Sequence, residues 1–180
     1  FSIISQHDGY IEADSEPGVG SIFTIYLPAS AEIKPAAAQT VSFSDHIGNG
    51  TILVMDDEEI LRETIGMMLQ TLGYSVVCHE NAESAVRYFL DETLAGRKLA
   101  AVLLDLTIPG GPGGREVVRE IRNICQKTPV FVVSGYADDP VMANPQQFGF
   151  NASLCKPFKR VDLEKTLAAH IGAPPAAESV

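Results

Sequence analysis

Five short apolar runs, separated by segments with helical spacing, fill residues 51–172 and restrict the fold that this part of the chain can adopt. Most runs are apolar at successive positions, which is typical of parallel strands buried on both faces of a sheet. They span residues 52–55, 75–78, 100–104, 130–133 and 152–155. Strands that alternate with helices in this way predict an α/β fold: a doubly wound, five-stranded parallel sheet with helices on both faces.

The segments between the runs place apolar residues on one face of a helix. The pattern is carried by Leu61, Ile65, Leu69 and Leu72; by Ala82, Val86 and Phe89; and by Leu163, Leu167 and Ile171. Side chains able to accept a hydrogen bond stand where two helices should begin. We therefore predict that Asn81 and Asp138 are N-caps, the second with Pro140 in the first turn of its helix.

The remaining parts of the chain differ in composition. Residues 1–28 contain two short alternating runs, 10–13 and 21–27, joined by a glycine-rich segment, and this pattern predicts a β-hairpin. Residues 29–50 are rich in Ala, Pro, Ser and Gly without a period and are predicted to be a linker. Residues 173–180 form a short tail. Because the chain does not begin with Met, we expect it to be a piece of a longer protein whose controlled domains lie upstream or on another chain.

The composition excludes several classes of protein. At 46% hydrophobic and 20% charged residues, the chain is globular rather than disordered as a whole. A net charge of −10 without a basic cluster argues against nucleic acid as a partner. No apolar run reaches the roughly 20 residues of a membrane span, and no signal peptide is present. We therefore expect no direct membrane contact and a cytoplasmic location, with any membrane anchor upstream.

The cysteines do not form a recognisable site. Cys78, Cys125 and Cys155 are odd in number and far apart, which fits neither a disulfide framework nor a Cys-x-x-Cys metal site. We interpret them as reduced thiols in or near the core.

Charged and polar residues follow four of the five runs, where the strands of an open α/β sheet bind ligands. Asp56 and Asp57 follow the first run, Asp105 the third, Ser134 the fourth and Lys156 the fifth. Taken singly, each has an ordinary structural explanation, such as a helix cap or a surface lysine. Their joint occurrence predicts a crevice in which three carboxylates face a hydroxyl and an ammonium group.

Such a crevice has a definite chemistry. Three close carboxylates repel one another and raise one another's pKa unless a cation intervenes. A hard divalent ion with oxygen ligands, Mg²⁺ or Mn²⁺ in its place, resolves the conflict. The Lys156 ammonium and the Ser134 hydroxyl are the groups that a transferred phosphoryl group needs on its other oxygens. The site is therefore predicted to accept a phosphoryl group on a carboxylate, most simply that of Asp105.

Four motifs at these positions resemble the receiver domain of two-component signalling systems, over about residues 50–172. They are 54–57 (Val-Met-Asp-Asp), 105–109 (Asp-Leu-Thr-Ile-Pro), 133–135 (Val-Ser-Gly) and 156–158 (Lys-Pro-Phe). The resemblance implies a flavodoxin-like fold with strand order 2-1-3-4-5 and a cis Lys156-Pro157 peptide. It also implies that Asp105 is the phosphoacceptor and that Ser134 and Lys156 contact the phosphoryl group. The implied metal ligands are Asp57, Asp105 and the backbone carbonyl of Thr107, with Asp56 binding directly or through water.

The chain departs from the common receiver pattern at two places. Ser153 stands where many receivers have the Tyr or Phe that swings inward on activation, which puts that switch in doubt. The loop at residues 110–114 has four glycines and lacks the usual bulky residue near position 111. Such a loop is either mobile or shaped for a partner's close approach, and we favour the second.

Residues 5–28 resemble the end of a histidine-kinase ATP-binding domain. Gly18 and Gly20 match its glycine box, while Phe23 and Leu27 match its terminal strand. The order of kinase end, linker and receiver is that of a hybrid sensor histidine kinase. Because the kinase core is missing, we expect this remnant neither to bind ATP usefully nor to support phosphorylation from ATP.

The resulting hypothesis is a receiver that takes phosphoryl from a phosphohistidine, on a kinase dimerisation domain or a histidine phosphotransfer protein. Phosphorylation would then shift the loop after Ser134 and the fourth helix of the receiver. Two alternatives stay open: a docking module that is never phosphorylated, and an enzyme acting on small phosphate esters. The hairpin, cut from its domain, has exposed edges through which two copies of the chain are predicted to pair.

Overall fold

The computed structural model describes residues 2–29 and 48–171. Most of the predicted linker and the whole predicted tail lie outside these residues. The chain divides into two compact units, each considered by itself. No helix in the described residues is long and apolar enough to cross a bilayer.

The first unit is a helix followed by an antiparallel hairpin: α1 (Ser2–Gln6), β1 (Tyr10–Glu16) and β2 (Gly20–Tyr26). The first strand runs three residues further than predicted, because the pairing continues from Asp14 opposite Ile22 to Glu16 opposite Gly20. The turn is correspondingly tight, and Gly18 and Gly20 have positive φ angles of 79° and 140°, which glycine adopts without strain. Within this unit most apolar side chains of the hairpin are exposed.

The second unit contains the predicted five-stranded parallel sheet. Its elements are β3 (Thr51–Met55), α2 (Glu59–Thr71), β4 (Ser75–His79), α3 (Ala82–Leu94), β5 (Ala101–Asp105), α4 (Gly114–Ile124), β6 (Val130–Ser134), α5 (Pro140–Ala143), a 3₁₀ helix (Pro145–Phe148), β7 (Ala152–Cys155) and α6 (Arg160–His170). The strand order is β4-β3-β5-β6-β7, and every neighbouring pair is parallel. This order is the 2-1-3-4-5 arrangement, so the predicted fold is confirmed.

Both faces of the sheet are buried, which explains the apolar runs. Successive side chains of a strand point to opposite faces, so Ile52 and Leu53 enter different cores. On one side α2 and α6 contribute Leu69 and Leu163. On the other side α3 and α4 contribute Phe89 and other apolar side chains. The central strands are thereby fixed between two helical layers, and exposed residues such as Asp57 follow their carboxyl ends.

One of the two predicted N-caps is present in the structure and the other is not. Asn81 is confirmed as an N-cap, since its side chain accepts a hydrogen bond from the Ser84 N–H at 3.0 Å. The prediction for Asp138 was wrong. Pro140 is the first helical residue of α5, so the cap is the residue directly before it, and Asp139 accepts from the Val141 N–H at 2.8 Å. The helix itself has only four residues and gives way to the 3₁₀ helix at Pro145.

The interpretation of the cysteines was wrong in part. None of the three forms a disulfide, but Cys78 and Cys155 are exposed and Cys125 is half-buried. Cys78 and Cys155 lie on β4 and β7, the two edge strands of the sheet. Edge strands are covered less completely than central ones, and a pattern of apolar residues does not reveal which strands are at the edge.

Three of the four glycines in the loop after β5 serve the loop itself. A Cβ at Gly113 would overlap the Leu106 carbonyl oxygen, and a Cβ at Gly114 would lie 2.7 Å from the Asp105 carbonyl oxygen. Gly110 has a positive φ of 75°. Nothing lies within 4 Å of a Cβ at Gly110 or at Gly111, so Gly111 is the one of the four with neither a close neighbour nor a positive φ. The close start of α4 against the end of β5 therefore requires glycine, and the approach of a partner to this loop stays a prediction.

We expect Gly113→Ala to lower the free energy of unfolding by about 3 kcal/mol, because the added methyl group forces the loop away from Leu106. Gly111→Ala is the matched control, since nothing lies within 4 Å of its Cβ position, and it should change stability by less than about 0.5 kcal/mol. Urea unfolding followed by circular dichroism measures both. Equal midpoints for Gly113→Ala and the wild type would show that the loop relaxes at no cost.

Candidate functional site

The acidic residues predicted from the strand ends meet at one place. β3 and β5 are neighbours, with Met55 opposite Leu104, so the residues that end these strands lie side by side. One carboxylate oxygen from each of Asp56, Asp57 and Asp105 lies within 4.8 Å of the others. Asp56 is 1% exposed and Asp105 8%, whereas Asp57 is exposed. Two of the three carboxylates are thus buried, and the third is open to solvent.

Lys156 reaches this cluster from the end of β7. Its Nζ donates to Asp56 Oδ2 at 2.6 Å and lies 3.2 Å from Asp105 Oδ1. The other oxygen of Asp56, Oδ1, accepts from the Glu58 N–H at 3.0 Å. The ammonium thus compensates part of the negative charge. It contacts two of the three carboxylates, so the cluster keeps an excess of negative charge.

The ionisation of these groups reflects that imbalance. Burial raises the pKa of Asp105, and the nearby charge of Asp56 raises it further, while the Lys156 ammonium opposes both effects. For Lys156, burial alone would lower the pKa, but its hydrogen bond to Asp56 and the two carboxylate charges hold it above the ordinary value. Burial and the charge of Asp56 therefore disfavour the ionised form of Asp105, and a divalent cation would favour it.

A cleft of about 350 Å³ opens beside the cluster. Its walls include Asp57, Asp105, Thr107, Ser134, Tyr136 and Lys156. The Ser134 Oγ accepts from the Tyr136 N–H at 3.1 Å, which leaves the hydroxyl proton available to a ligand. Oxygen donors without a thiol or imidazole in the cluster suit a hard cation such as Mg²⁺.

The structure thus brings together every predicted receiver-site residue: the cleft walls contain all of them except Asp56, which lies buried against Lys156. Gly18 and Gly20 belong to the other compact unit. The Lys156-Pro157 peptide is cis, as the resemblance implied. Ser153 does not line the cleft; its Oγ donates to the Met142 carbonyl of α5 at 2.8 Å.

One residue of the site, Arg62, was not indicated by the pattern at the strand ends. One guanidinium nitrogen, Nη1, donates to the carbonyl oxygens of Asp56 at 2.7 Å and Asp57 at 2.8 Å. The signal was present in the sequence as a basic residue in the first turn of the helix that follows the acidic pair. Long helical side chains point back toward the helix N-terminus, which is where these carbonyls lie.

Curated relatives of this chain are signalling proteins. The chain is 34% identical to the sensor kinase CckA of Brucella abortus over 178 residues, which cover 93% of this chain and 18% of that protein. It is 28% identical to the transcriptional regulatory protein FixJ of Bradyrhizobium diazoefficiens over 131 residues, 72% of this chain and 61% of FixJ. The chain therefore spans less than a fifth of one relative and about three fifths of the other.

Solved structures share the fold. The receiver domain of a sensor histidine kinase from Pseudomonas aeruginosa, with a magnesium ion coordinated in its active site cleft, is 30% identical with a TM-score of 0.60. That match covers 69% of this chain and 99% of the receiver. The response regulator TrrA of Thermotoga maritima, in complex with Mg²⁺ and BeF, is 26% identical with a TM-score of 0.56, covering 66% of this chain and 96% of TrrA.

The sequence of the second unit identifies the family. Residues 52–168, which contain β3 except for Thr51, every element from α2 to β7 and most of α6, match the model of the response regulator receiver domain. This chain belongs to the response regulator receiver domain family of two-component signalling proteins.

Proposed function

We propose that the chain is the phosphoryl-accepting receiver of a hybrid sensor histidine kinase, with Asp105 as the acceptor and Mg²⁺ as its cofactor. The observation that carries the proposal is the cleft at the strand ends, where three carboxylates lie together and a single ammonium group contacts two of them. A site built only to hold the fold together would pair its buried charges, whereas this one has an excess of negative charge and an opening to solvent.

The residues of the cleft divide the chemistry among them. An Asp105 oxygen attacks the phosphorus atom of a phosphohistidine; the new P–O bond forms as the P–N bond breaks, and the imidazole leaves with the electron pair. Lys156 pairs with the charge on the transferred group, and Ser134 donates its hydroxyl proton to one of the phosphoryl oxygens. Asp56, Asp57, Asp105 and the Thr107 carbonyl would hold Mg²⁺, which supplies positive charge for the phosphoryl oxygens.

The relatives support the wider part of the proposal. The alignment with CckA covers 93% of this chain, so it extends well into the residues before the receiver. The hairpin of residues 10–26 then belongs to the end of a kinase ATP-binding domain, with Gly18 and Gly20 as an inactive remnant of its glycine box. The phosphodonor is the dimerisation domain of the same kinase or a histidine phosphotransfer protein, and the receiver operates in the cytoplasm.

Metal removal tests the proposal directly. Phosphoramidate, a small donor with the same P–N bond as phosphohistidine, should add one phosphoryl group to the chain in Mg²⁺, as read by intact-protein mass spectrometry. We expect little product in EDTA and recovery when Mg²⁺ or Mn²⁺ is restored, because the carboxylate cluster otherwise repels the anionic donor.

The same assay, together with a measurement of ester hydrolysis, separates the alternatives. A docking module would take up no phosphoryl group with or without metal. An enzyme for phosphate esters would hydrolyse p-nitrophenyl phosphate over many rapid turnovers, whereas a receiver would not.

A further inference from the structure

We propose that Arg62 is a positioning residue of the metal site: it fixes the backbone that carries Asp56 and Asp57, and Mg²⁺ affinity depends on it. This inference rests on the proposed Mg²⁺-dependent function and extends it to a residue outside the cleft walls. Arg62 contacts neither the carboxylates nor the cleft, since both of its described side-chain hydrogen bonds go to backbone carbonyls.

The half-buried Arg62 makes two short hydrogen bonds from a single atom. A single nitrogen, Nη1, donates its two hydrogens to two consecutive carbonyl oxygens, at 2.7 and 2.8 Å. Bonds from a charged donor at these distances are stronger than neutral ones. They hold the peptide groups after Asp56 and after Asp57, so two successive peptide planes at the end of β3 are fixed by one side chain.

The second of these peptide groups links Arg62 to the carboxylate of Asp56. Its oxygen, the Asp57 carbonyl, accepts from Arg62, and its N–H, that of Glu58, donates to Asp56 Oδ1 at 3.0 Å. The peptide unit is thus held at both ends, and through it the guanidinium orients a carboxylate that it does not touch. With Lys156 on Oδ2, Asp56 has a defined position before any ion arrives.

A charge effect and a positioning effect of Arg62 predict opposite changes in Mg²⁺ affinity when the residue is removed. If Arg62 acted only by its positive charge, removing it would make the acidic cluster more attractive to a cation, and Mg²⁺ would bind more tightly. If Arg62 acts by holding the peptide groups, its removal lets the carboxylates move apart and Mg²⁺ binds more weakly. Loss of residues that orient metal ligands typically reduces affinity 10- to 100-fold.

The test measures Mg²⁺ binding to the full chain by isothermal titration calorimetry. We expect Arg62→Gln to raise the Mg²⁺ Kd about tenfold or more, and Arg62→Lys, which keeps the charge and one donor nitrogen, to fall between it and the wild type. Arg97→Gln is the matched control, because Arg97 is an arginine paired with Glu92 in an exposed ion pair; its Kd should be unchanged. A Kd for Arg62→Gln equal to or below that of the wild type would overturn the proposal.

Amide exchange gives an independent readout. By NMR, the Glu58 amide of Arg62→Gln should exchange faster than in the wild type, while the core amide of Val102 is unchanged; equal exchange at Glu58 would contradict the positioning role. If Arg62→Gln does not fold, Arg62→Lys carries both measurements, and a wild-type Kd together with wild-type exchange overturns the proposal. If the wild-type chain binds no Mg²⁺, the proposed function fails, and Glu58 exchange alone then decides the role of Arg62.

Discussion

Replacing Asp105 by asparagine is expected to abolish phosphorylation of the chain by phosphoramidate, at every Mg²⁺ concentration. The amide has nearly the shape of the carboxylate but lacks a negatively charged oxygen, so no acyl phosphate forms. The fold should persist, because Asp105 sits at the end of a strand whose other residues form the core. Intact-protein mass spectrometry after incubation with the donor measures the incorporated phosphoryl group.

Two matched variants show whether the effect is specific to the acceptor. Asp57→Asn removes an acidic group of the same cluster but leaves the nucleophile, so its phosphorylation should be slow and should recover as Mg²⁺ is raised. Asp138→Asn changes an exposed aspartate outside the carboxylate cluster and should behave as the wild type. Phosphorylation of Asp105→Asn at the wild-type level would place the acceptor elsewhere, and peptide mapping of the product would locate it.

The fold was predictable because a strand that is buried on both faces has apolar residues at successive positions. A central strand such as Val130–Ser134 is buried at every position, and burial on both faces is typical of a parallel sheet between two helical layers. The position of Asp105 was predictable for a related reason. Once strands are parallel, the residues at their carboxyl ends share one edge of the sheet, and acids at two such ends indicate a site.

The contacts of the site and the length of α5 were not predictable, because they depend on distances between parts of the chain that local patterns do not encode. The ion pair between Lys156 and Asp56 joins residues 100 positions apart, and the short Arg62 bonds end on backbone atoms that any sequence would supply. The shortness of α5 follows from Pro145, whose missing N–H favours a new start. Ser153 illustrates the same limit: its hydrogen bond to Met142 depends on where α5 ends in space.

Removing the ammonium of Lys156 should produce two effects of opposite sign. In Lys156→Met, the buried Asp56 loses its partner at 2.6 Å, and three carboxylates remain together without a cation. Breaking a buried ion pair by deleting one member costs about 3 kcal/mol, because the other charge is left uncompensated. We therefore expect urea unfolding in EDTA to show a free energy of unfolding lower by about that amount.

In saturating Mg²⁺ most of this loss of stability should disappear. The ion then neutralises the carboxylates in place of the ammonium, and it no longer competes with an ammonium group for them. Mg²⁺ should accordingly bind Lys156→Met more tightly than the wild type, and a ligand that binds only the folded state stabilises it in proportion to the logarithm of its concentration over Kd. Phosphorylation should nevertheless slow, since nothing replaces the ammonium beside the transferred group.

Lys165→Met, on an exposed face of α6, is the control and should show neither effect. An equal loss of stability in EDTA and in Mg²⁺ would mean that Lys156 supports the fold by packing alone, and that the metal and the ammonium do not share these carboxylates.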